Sequence, residues 1–360
     1  MGLQNRLDNA INAALGARIV GCVILVQQRG QAVYARAVGL ADRESGRVME
    51  LDAVFRLASV TKPIVAAAAL RMVDLKMLGL DDEVARHLPY FTPLSPDGAY
   101  HPILIRHLLN HTSGLHYGGD GHYSRGLAGP LLGFEENLRA IAAEPLLFTP
   151  GTAWEYGLSI DVLGGVLAAI NGTDLAGVVA RHVTGPLGMV DTLFGVSDPA
   201  RLAVPYQDGP PPLRMEGEVT VIGRDGGVTP FSVGRIFEPR APQSGGAGMA
   251  GTAGDVMRLL EGLRGGFLSP ALRDAAFANQ IGDLPRNDAG KRFSFLGAVV
   301  TDPAAAGTAM PAGAVDWGGA WGHNWVVDPA SDTTIVCCTN TLFEGCNGQF
   351  REEIAAAVFN

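Results

Sequence analysis

Val54-Phe55-Arg56-Leu57-Ala58-Ser59-Val60-Thr61-Lys62-Pro63-Ile64-Val65-Ala66 is the stretch on which the reading of this chain turns. Residues 54–58 are apolar apart from Arg56 and suit a buried strand. From Pro63 an apolar pattern runs to residue 78, interrupted only by Arg71, Asp74 and Lys76, which predicts a largely buried helix. Proline in a first turn costs little, because its missing N–H would have no intrahelical partner there. Ser59 then stands at the helix start, with Lys62 one turn later on the same face. This sets a hydroxyl nucleophile beside an amine able to take its proton. The free N–H groups of a helix start also favour negative charge developing on anything bonded to Ser59. The plainer alternative is a serine cap followed by a lysine with its stem along the surface.

The composition weighs on that choice. Among 360 residues there are 12 serines and only three lysines, Lys62, Lys76 and Lys291. Chance yields on the order of 0.1 Ser-x-x-Lys matches in such a chain, so one at a strand-to-helix junction counts. With 47% hydrophobic and 18% charged residues the chain is of the folded globular kind. A net charge of −9 without a basic cluster argues against nucleic acid or an anionic membrane as partner and favours a small neutral or weakly charged ligand.

No apolar run approaches the roughly 18 to 20 residues of a membrane span. Residues 1–16 carry Arg6 and Asp8 in an amphipathic pattern, unlike an export signal. Cys22, Cys337, Cys338 and Cys346 show neither CxxC spacing nor paired histidines, so no metal site, no disulfide framework and a cytoplasmic setting are expected. Cys337 and Cys338 should point to opposite faces of a strand. No cofactor is indicated, and the oligomeric state is left open.

After a first helix, strands are expected at 20–27 and 31–40 around an Arg29-Gly30 turn, and again at 294–301, 321–328 and 333–339 before a closing helix at 350–359. The fold class is therefore α/β (α+β), an antiparallel sheet built from both chain ends and flanked by terminal helices. Helical patterns at 63–78, 103–110, 134–143, 160–170 and 175–183 form a mostly helical insertion. Residues 1–57 and 237–360 are assigned to the sheet domain and 58–236 to the helical region, with the active site at their junction. Residues 205–243, rich in Pro and Gly, form an excursion near the cleft.

Two downstream segments carry further chemistry. Pro150-Gly151-Thr152-Ala153-Trp154-Glu155-Tyr156 leads from a turn into a helix, and a phenol beside a cation can relay a proton. Asp316-Trp317-Gly318-Gly319-Ala320-Trp321-Gly322-His323 combines flat aromatics with glycines that admit close approach to backbone N–H groups, which suits an oxyanion hole on an edge strand. His107 and His111 are read as bonding backbone around the Thr112-Ser113-Gly114 turn; His116 and His122 edge the pocket without a third metal ligand. Gly246-Ala247-Gly248-Met249-Ala250-Gly251 fits GxGxxG, but no strand precedes it and no acid follows at the required distance. It is read as a flexible cleft wall leading to a helix capped near Thr252 or Asp255.

Taken in order, Ser59-x-x-Lys62, Leu108-Leu109-Asn110-His111-Thr112-Ser113-Gly114-Leu115, the Pro-Gly-Thr…Tyr156 segment, Ser244-Gly245-Gly246-Ala247-Gly248 and Trp317-Gly318-Gly319 resemble the serine β-lactamase and penicillin-binding-protein superfamily. The resemblance spans nearly the whole chain and is strongest to the class-C-like carboxylesterases of family VIII. It implies Ser59 as acylated nucleophile, Lys62 and Tyr156 as the proton-transfer pair, and the N–H groups of Ser59 and Ala320 as oxyanion hole. Trp317, Gly318, Gly319, Leu158 and His323 would line the substrate pocket. Leu158 replaces the asparagine of the lactamase Tyr-x-Asn motif, and Trp317 replaces the lysine of Lys-Thr-Gly. Both departures favour hydrolysis of small esters over lactams. A β-lactamase, a D-amino-acid amidase or peptidase, an acyltransferase, and a non-catalytic binding relative remain the alternatives.

Overall fold

The computed structural model describes residues 2–118, 124–223 and 226–360. His122 lies outside them. The chain opens with α1 (Leu3–Ala14), whose Leu7, Ile11 and Ala14 recur at helical spacing and are buried. Then come β1 (Gly21–Gln28) and β2 (Gln31–Asp42), joined through Arg29 and Gly30, both at positive φ, the twist that a two-residue hairpin requires. β1 is apolar on successive residues because helices cover both faces of the sheet at that point. After β3 (Arg47–Val48) and β4 (Val54–Arg56) the chain enters a short 3-10 turn (Ala58–Val60) and then α2 (Thr61–Asp74).

The helical region adds α3 (Val84–His87), α4 (Ile105–Leu109), α5 (Phe134–Ala142), α6 (Ser159–Asn171) and α7 (Leu175–Val179), the last continuing as a wider π turn to Thr184. The excursion expected at 205–243 carries two hairpins, β5 (Tyr206–Gln207) with β6 (Leu213–Arg214) and β7 (Glu218–Ile222) with β8 (Val228–Ser232). β9 (Ala250–Thr252), which the glycine-rich pattern concealed, pairs with β4. Thr252 then caps α8 (Ala253–Arg264) by accepting the Asp255 N–H. α9 (Pro270–Phe277), β10 (Lys291–Phe293), β11 (Ala298–Val300), α10 (Pro303–Ala306), β12 (Val315–Gly319), β13 (His323–Asp328), β14 (Thr333–Thr339), α11 (Leu342–Cys346) and α12 (Gln349–Phe359) complete the chain.

Eight strands form one antiparallel sheet in the order β10-β11-β12-β13-β14-β1-β2-β3, so the two chain ends do share a sheet. Cys22 to Gln28 of β1 lie opposite Thr339 to Thr333 of β14. One face is covered by α1 and α12, whose Leu7, Ile11, Phe350 and Ile354 pack on Ile24, Ile335 and Cys337. The other face packs Val23, Trp325, Val336 and Cys338 against the buried residues of α2, α6 and α8. Cys337 and Cys338 do face opposite ways.

Three expectations about strands need correction. Residues 294–301 hold a turn followed by the short β11, because Ser294 ends β10 and turns the backbone by bonding the Gly297 carbonyl through both its N–H and its hydroxyl. Trp321 belongs to a turn, and β13 starts at His323. β12 is interior to the sheet; its partner β11 reaches only Val315 and Asp316, so Trp317 to Gly319 keep one open side.

Candidate active site

The junction of β4 and α2 sets Ser59 and Lys62 as the local pattern implies. Ala58, immediately before the serine, is fully buried and held at φ 45, a left-handed conformation uncommon for a residue with a side chain. The Lys62 Nζ donates to Ser59 Oγ at 3.2 Å, to the Tyr117 hydroxyl at 2.9 Å and to the Gly246 carbonyl at 2.9 Å. Three acceptors match its three donors. The amine is almost entirely enclosed, with Lys62 only 3% exposed.

Gly246 approaches this closely because it has no side chain. A Cβ there would stand 2.4 Å from Asp161 Oδ2 and 3.3 Å from Lys62 Nζ, and one on Gly245 would stand 2.4 Å from the Ile160 carbonyl. The segment read as a flexible wall is therefore clamped onto α6. Ser244 donates to Asp161 Oδ1 at 2.5 Å, while Oδ2 has no hydrogen-bond partner among the described residues. Burial raises the Asp161 pKa above the ordinary carboxylate value, against the opposing pull of Lys62 and Ser244.

Tyr156 sits where the turn before α6 was expected to put it, yet it meets Lys62 through its ring, 4.6 Å from Nζ to the centroid. Its hydroxyl accepts from Trp317 Nε1 at 3.3 Å. The phenol hydrogen-bonded to Lys62 is Tyr117, its ring edge-on to Tyr156 at 5.5 Å. Burial, reinforced by Tyr156 and Asp161, pushes the Tyr117 pKa well above 10, so it stays a neutral hydroxyl. His111 accepts from the Gly157 N–H at 3.4 Å, and its carbonyl takes the Glu155 N–H. It thereby holds the segment that presents Tyr156. His107 accepts from the Leu104 N–H.

Across the cleft, β12 lies directly on the turn that carries Ser59. A Cβ on Gly319 would stand 2.3 Å from the Leu57 carbonyl, so only glycine permits the approach. Ser59, Tyr156, Trp317, Gly318 and Ala320 line one cleft of about 350 Å³. Neither the Ser59 N–H nor the Ala320 N–H donates a hydrogen bond within the protein among the described residues. Free N–H groups at that position are what an oxyanion needs.

The far end of the cleft is polar. Asp316 is held by Lys291 at 2.9 Å and by Arg351. Burial works to raise its pKa, but Arg351 and Lys291 prevail and hold it below the usual range. The lysine missing at position 317 thus has a counterpart brought in by β10, although an aspartate already occupies it.

Several expected residues lie elsewhere. Leu158 is 1% exposed and belongs to the core beneath α6, so it does not line the cleft. His323 is buried below it, donating from Nε2 to the Arg56 carbonyl at 2.7 Å, with its pKa lowered to about 4 by burial. Gly319 shapes the cleft by its packing against Leu57 and does not line it. Tyr117, Asp161 and the Gly246 carbonyl were absent from the sequence reading. Asp161 had left one sign, a lone acid within the otherwise apolar Ser159–Asn171 segment.

An antiparallel sheet covered by terminal helices, with a Ser-x-x-Lys helix start packed on one interior strand, is the plan of the penicillin-recognising class of serine proteins. The family model described as Beta-lactamase matches residues 7–358, and the chain belongs to that family. It is 46% identical to Esterase EstB of Burkholderia gladioli, over 99% of this chain and 95% of that one. A solved structure described as EstCE1, a hydrolase with promiscuous acyltransferase activity, superposes with a TM-score of 0.94 at 38% identity, covering 99% and 98% of the two chains. Unliganded simvastatin synthase (LovD) from Aspergillus terreus shares the fold, with a TM-score of 0.75, 22% identity and coverage of 100% and 98%.

Proposed function

We propose that this protein is a serine carboxylesterase that cleaves small carboxylic esters through an acyl-enzyme on Ser59. The observation that carries the reading is the Lys62 amine 3.2 Å from the Oγ of Ser59, which lines one cleft with Ala320, the N–H groups of both being unpartnered among the described residues. The esterase relative that matches 99% of the chain supports it.

Ser59 Oγ attacks the ester carbonyl carbon, and its proton passes to the Lys62–Tyr156 pair, one of the two in its basic form, while Tyr117 stays a neutral hydroxyl hydrogen-bonded to Lys62. The carbonyl oxygen, now negative, is met by the N–H groups of Ser59 and Ala320. As the intermediate collapses, the ester C–O bond breaks and the proton goes to the departing alkoxide. Water then attacks the acyl-serine, loses a proton to the same pair, and releases the acid while Ser59 is reprotonated. Trp317, held by its bond to Tyr156, forms the apolar wall against which the acyl or alcohol group rests.

Turnover of a chromogenic short-chain ester by Ser59→Ala protein is expected to fall by about four orders of magnitude or more. Retention of most of the activity would overturn the proposal, as would failure of the folded protein to label with a fluorophosphonate.

Acyl transfer to an alcohol is a second reading with specific support, because the structure related at 38% identity is described as having that activity too. It uses the same acyl-enzyme with an alcohol in place of water. Faster loss of donor ester when an alcohol is added, with a new ester as product, identifies it. The four cysteines are all free thiols, which supports the cytoplasmic setting. Among the described residues no single helix is long and apolar enough to cross a membrane.

A further inference from the structure

A second cavity, of about 290 Å³, is lined in part by residues that adjoin the Ser59 turn in sequence or by backbone bonds. Its inner wall continues the catalytic elements. Trp321 follows Ala320, and Ala247 to Met249 follow Gly246; the Met249 carbonyl accepts the Leu57 N–H, and its own N–H donates to Thr61. Leu127, Phe194 and Phe237 add an apolar lining.

Two arginines line this cavity, each only 8% exposed, and neither is paired with a carboxylate among the described residues. Arg56 donates only to the carbonyls of Val233 and Ala203, and its guanidinium stacks 5.6 Å from the Trp321 ring centre. Arg235 donates to the carbonyls of Gly126 and Pro242, and its Nη1 has no partner among the described residues. Asp161 and Glu218 reach Arg235 only through their longer-range field. Glu238, the one acid on the cavity wall among the described residues, is engaged by Arg240. Carbonyl dipoles alone compensate a buried cation poorly, and two such cations lining one cavity leave a site complementary to a carboxylate.

We infer that this cavity binds the carboxylate of a small amphiphilic organic acid, with Arg56 and Arg235 holding the anion and Leu127, Phe194 and Phe237 the apolar body. Its volume suits a single short alkyl or aryl chain. The acid could be a free monocarboxylate or the distal carboxylate of a hemiester substrate; the second source rests on the esterase reading, whereas the site itself does not.

The first arm is calorimetric titration of the wild-type protein with 4-phenylbutyrate and with its primary amide. The acid is expected to bind at least about tenfold more tightly than the amide. Arg235→Gln should abolish that preference. Because Arg235→Gln could unfold, Phe237→Glu serves as the second variant: Phe237 is half-exposed at the cavity wall, and an anion there should weaken acid binding about fivefold or more relative to the amide while leaving the melting temperature unchanged. Equal binding of acid and amide, or acid binding indifferent to Phe237→Glu, overturns the inference.

The second arm compares kcat/KM for the p-nitrophenyl hemiester of suberic acid with that of its methyl-capped diester. A hemiester preference of about fivefold or more, lost in Phe237→Glu, assigns the carboxylate to the substrate. Equal rates together with calorimetric binding of 4-phenylbutyrate assign it to a free acid. An esterase reading that fails shows as hydrolysis of neither ester, and leaves the calorimetric result standing.

Discussion

Ser59 and Lys62 were legible because their relation is local: a helix brings residues three apart together whatever the rest of the chain does. Tyr117 was not, since nothing in the pattern of residues 108–118 says which side chain of that loop will turn toward the amine. The sequence drew the eye to its histidines instead. Tyr117→Phe removes the acceptor of a 2.9 Å bond from Lys62 and no packing volume. It is expected to lower kcat on the order of a hundredfold with little change in KM or melting temperature. Steady-state kinetics at saturating ester check this, and an unchanged kcat would remove Tyr117 from the proton path.

His323 was assigned to the cleft because it closes a glycine-rich aromatic motif, but alternation along β13 turns it beneath the site. Its buried ring has a consequence for pH. The native pKa near 4 lies below the ordinary 6.5, so the unfolded chain takes up a proton first as pH falls. Stability is full above 6.5, declines through the window from 6.5 down to about 4, and the loss amounts to about 3 kcal/mol from this residue. His111, whose pKa is also lowered by burial, acts in the same direction. His323→Gln keeps a donor toward the Arg56 carbonyl without titrating. Urea unfolding across that window should give a flatter curve for the variant, and parallel curves would refute the assignment.

At the scale of elements, what mattered was how closely one backbone can approach another. The Trp-Gly-Gly motif reads as room for substrate, yet Gly319 spends its missing side chain on β12 packing against the Leu57 carbonyl. Gly319→Ala forces a backbone-to-backbone clash, costing about 1–3 kcal/mol and moving Ala320 away from Ser59. Activity should fall about a hundredfold or more, whereas Gly318→Ala, directed toward Cys346, should preserve the Ser59 side of the cleft better. Comparing acylation rates of the two variants tests this; equal losses would count against the packing argument. Strands with a continuous apolar run or a turn signal, such as β1 and its hairpin, were readable. β9, three residues among glycines and alanine, has no periodicity to find and exists because β4 needs a partner.

For the molecule as a whole, the legible feature was that both chain ends look alike in hydrophobic pattern, with strands beside a terminal helix. Strand order was beyond reach, because nothing local distinguishes an edge from the interior; β12 was misplaced for that reason. The terminal helices form a second core of their own. Phe350 is fully buried there, against the face of the sheet away from Ser59. Phe350→Ala is expected to cost about 3–5 kcal/mol of stability while leaving KM nearly unchanged in the protein that remains folded. Denaturant unfolding and kinetics on the same preparation separate the two effects, and a raised KM at native stability would show that the two faces are not independent.

The pairing of β1 with β14 has a further bearing on how the protein is made. The Gly21 N–H rests on the Asn340 side chain, 319 positions downstream. On the ribosome the first hairpin, the Ser59 turn and α2 emerge early, but the central strands β13 and β14 that must join the hairpin emerge only from His323 onward. The sheet can close only once β14 has been made, when segments more than 300 residues apart are brought together, and such distant pairing is slow. Nascent chains halted before β14 should therefore carry Ser59 and Lys62 without hydrolytic competence, so esterase activity reports on synthesis through β14.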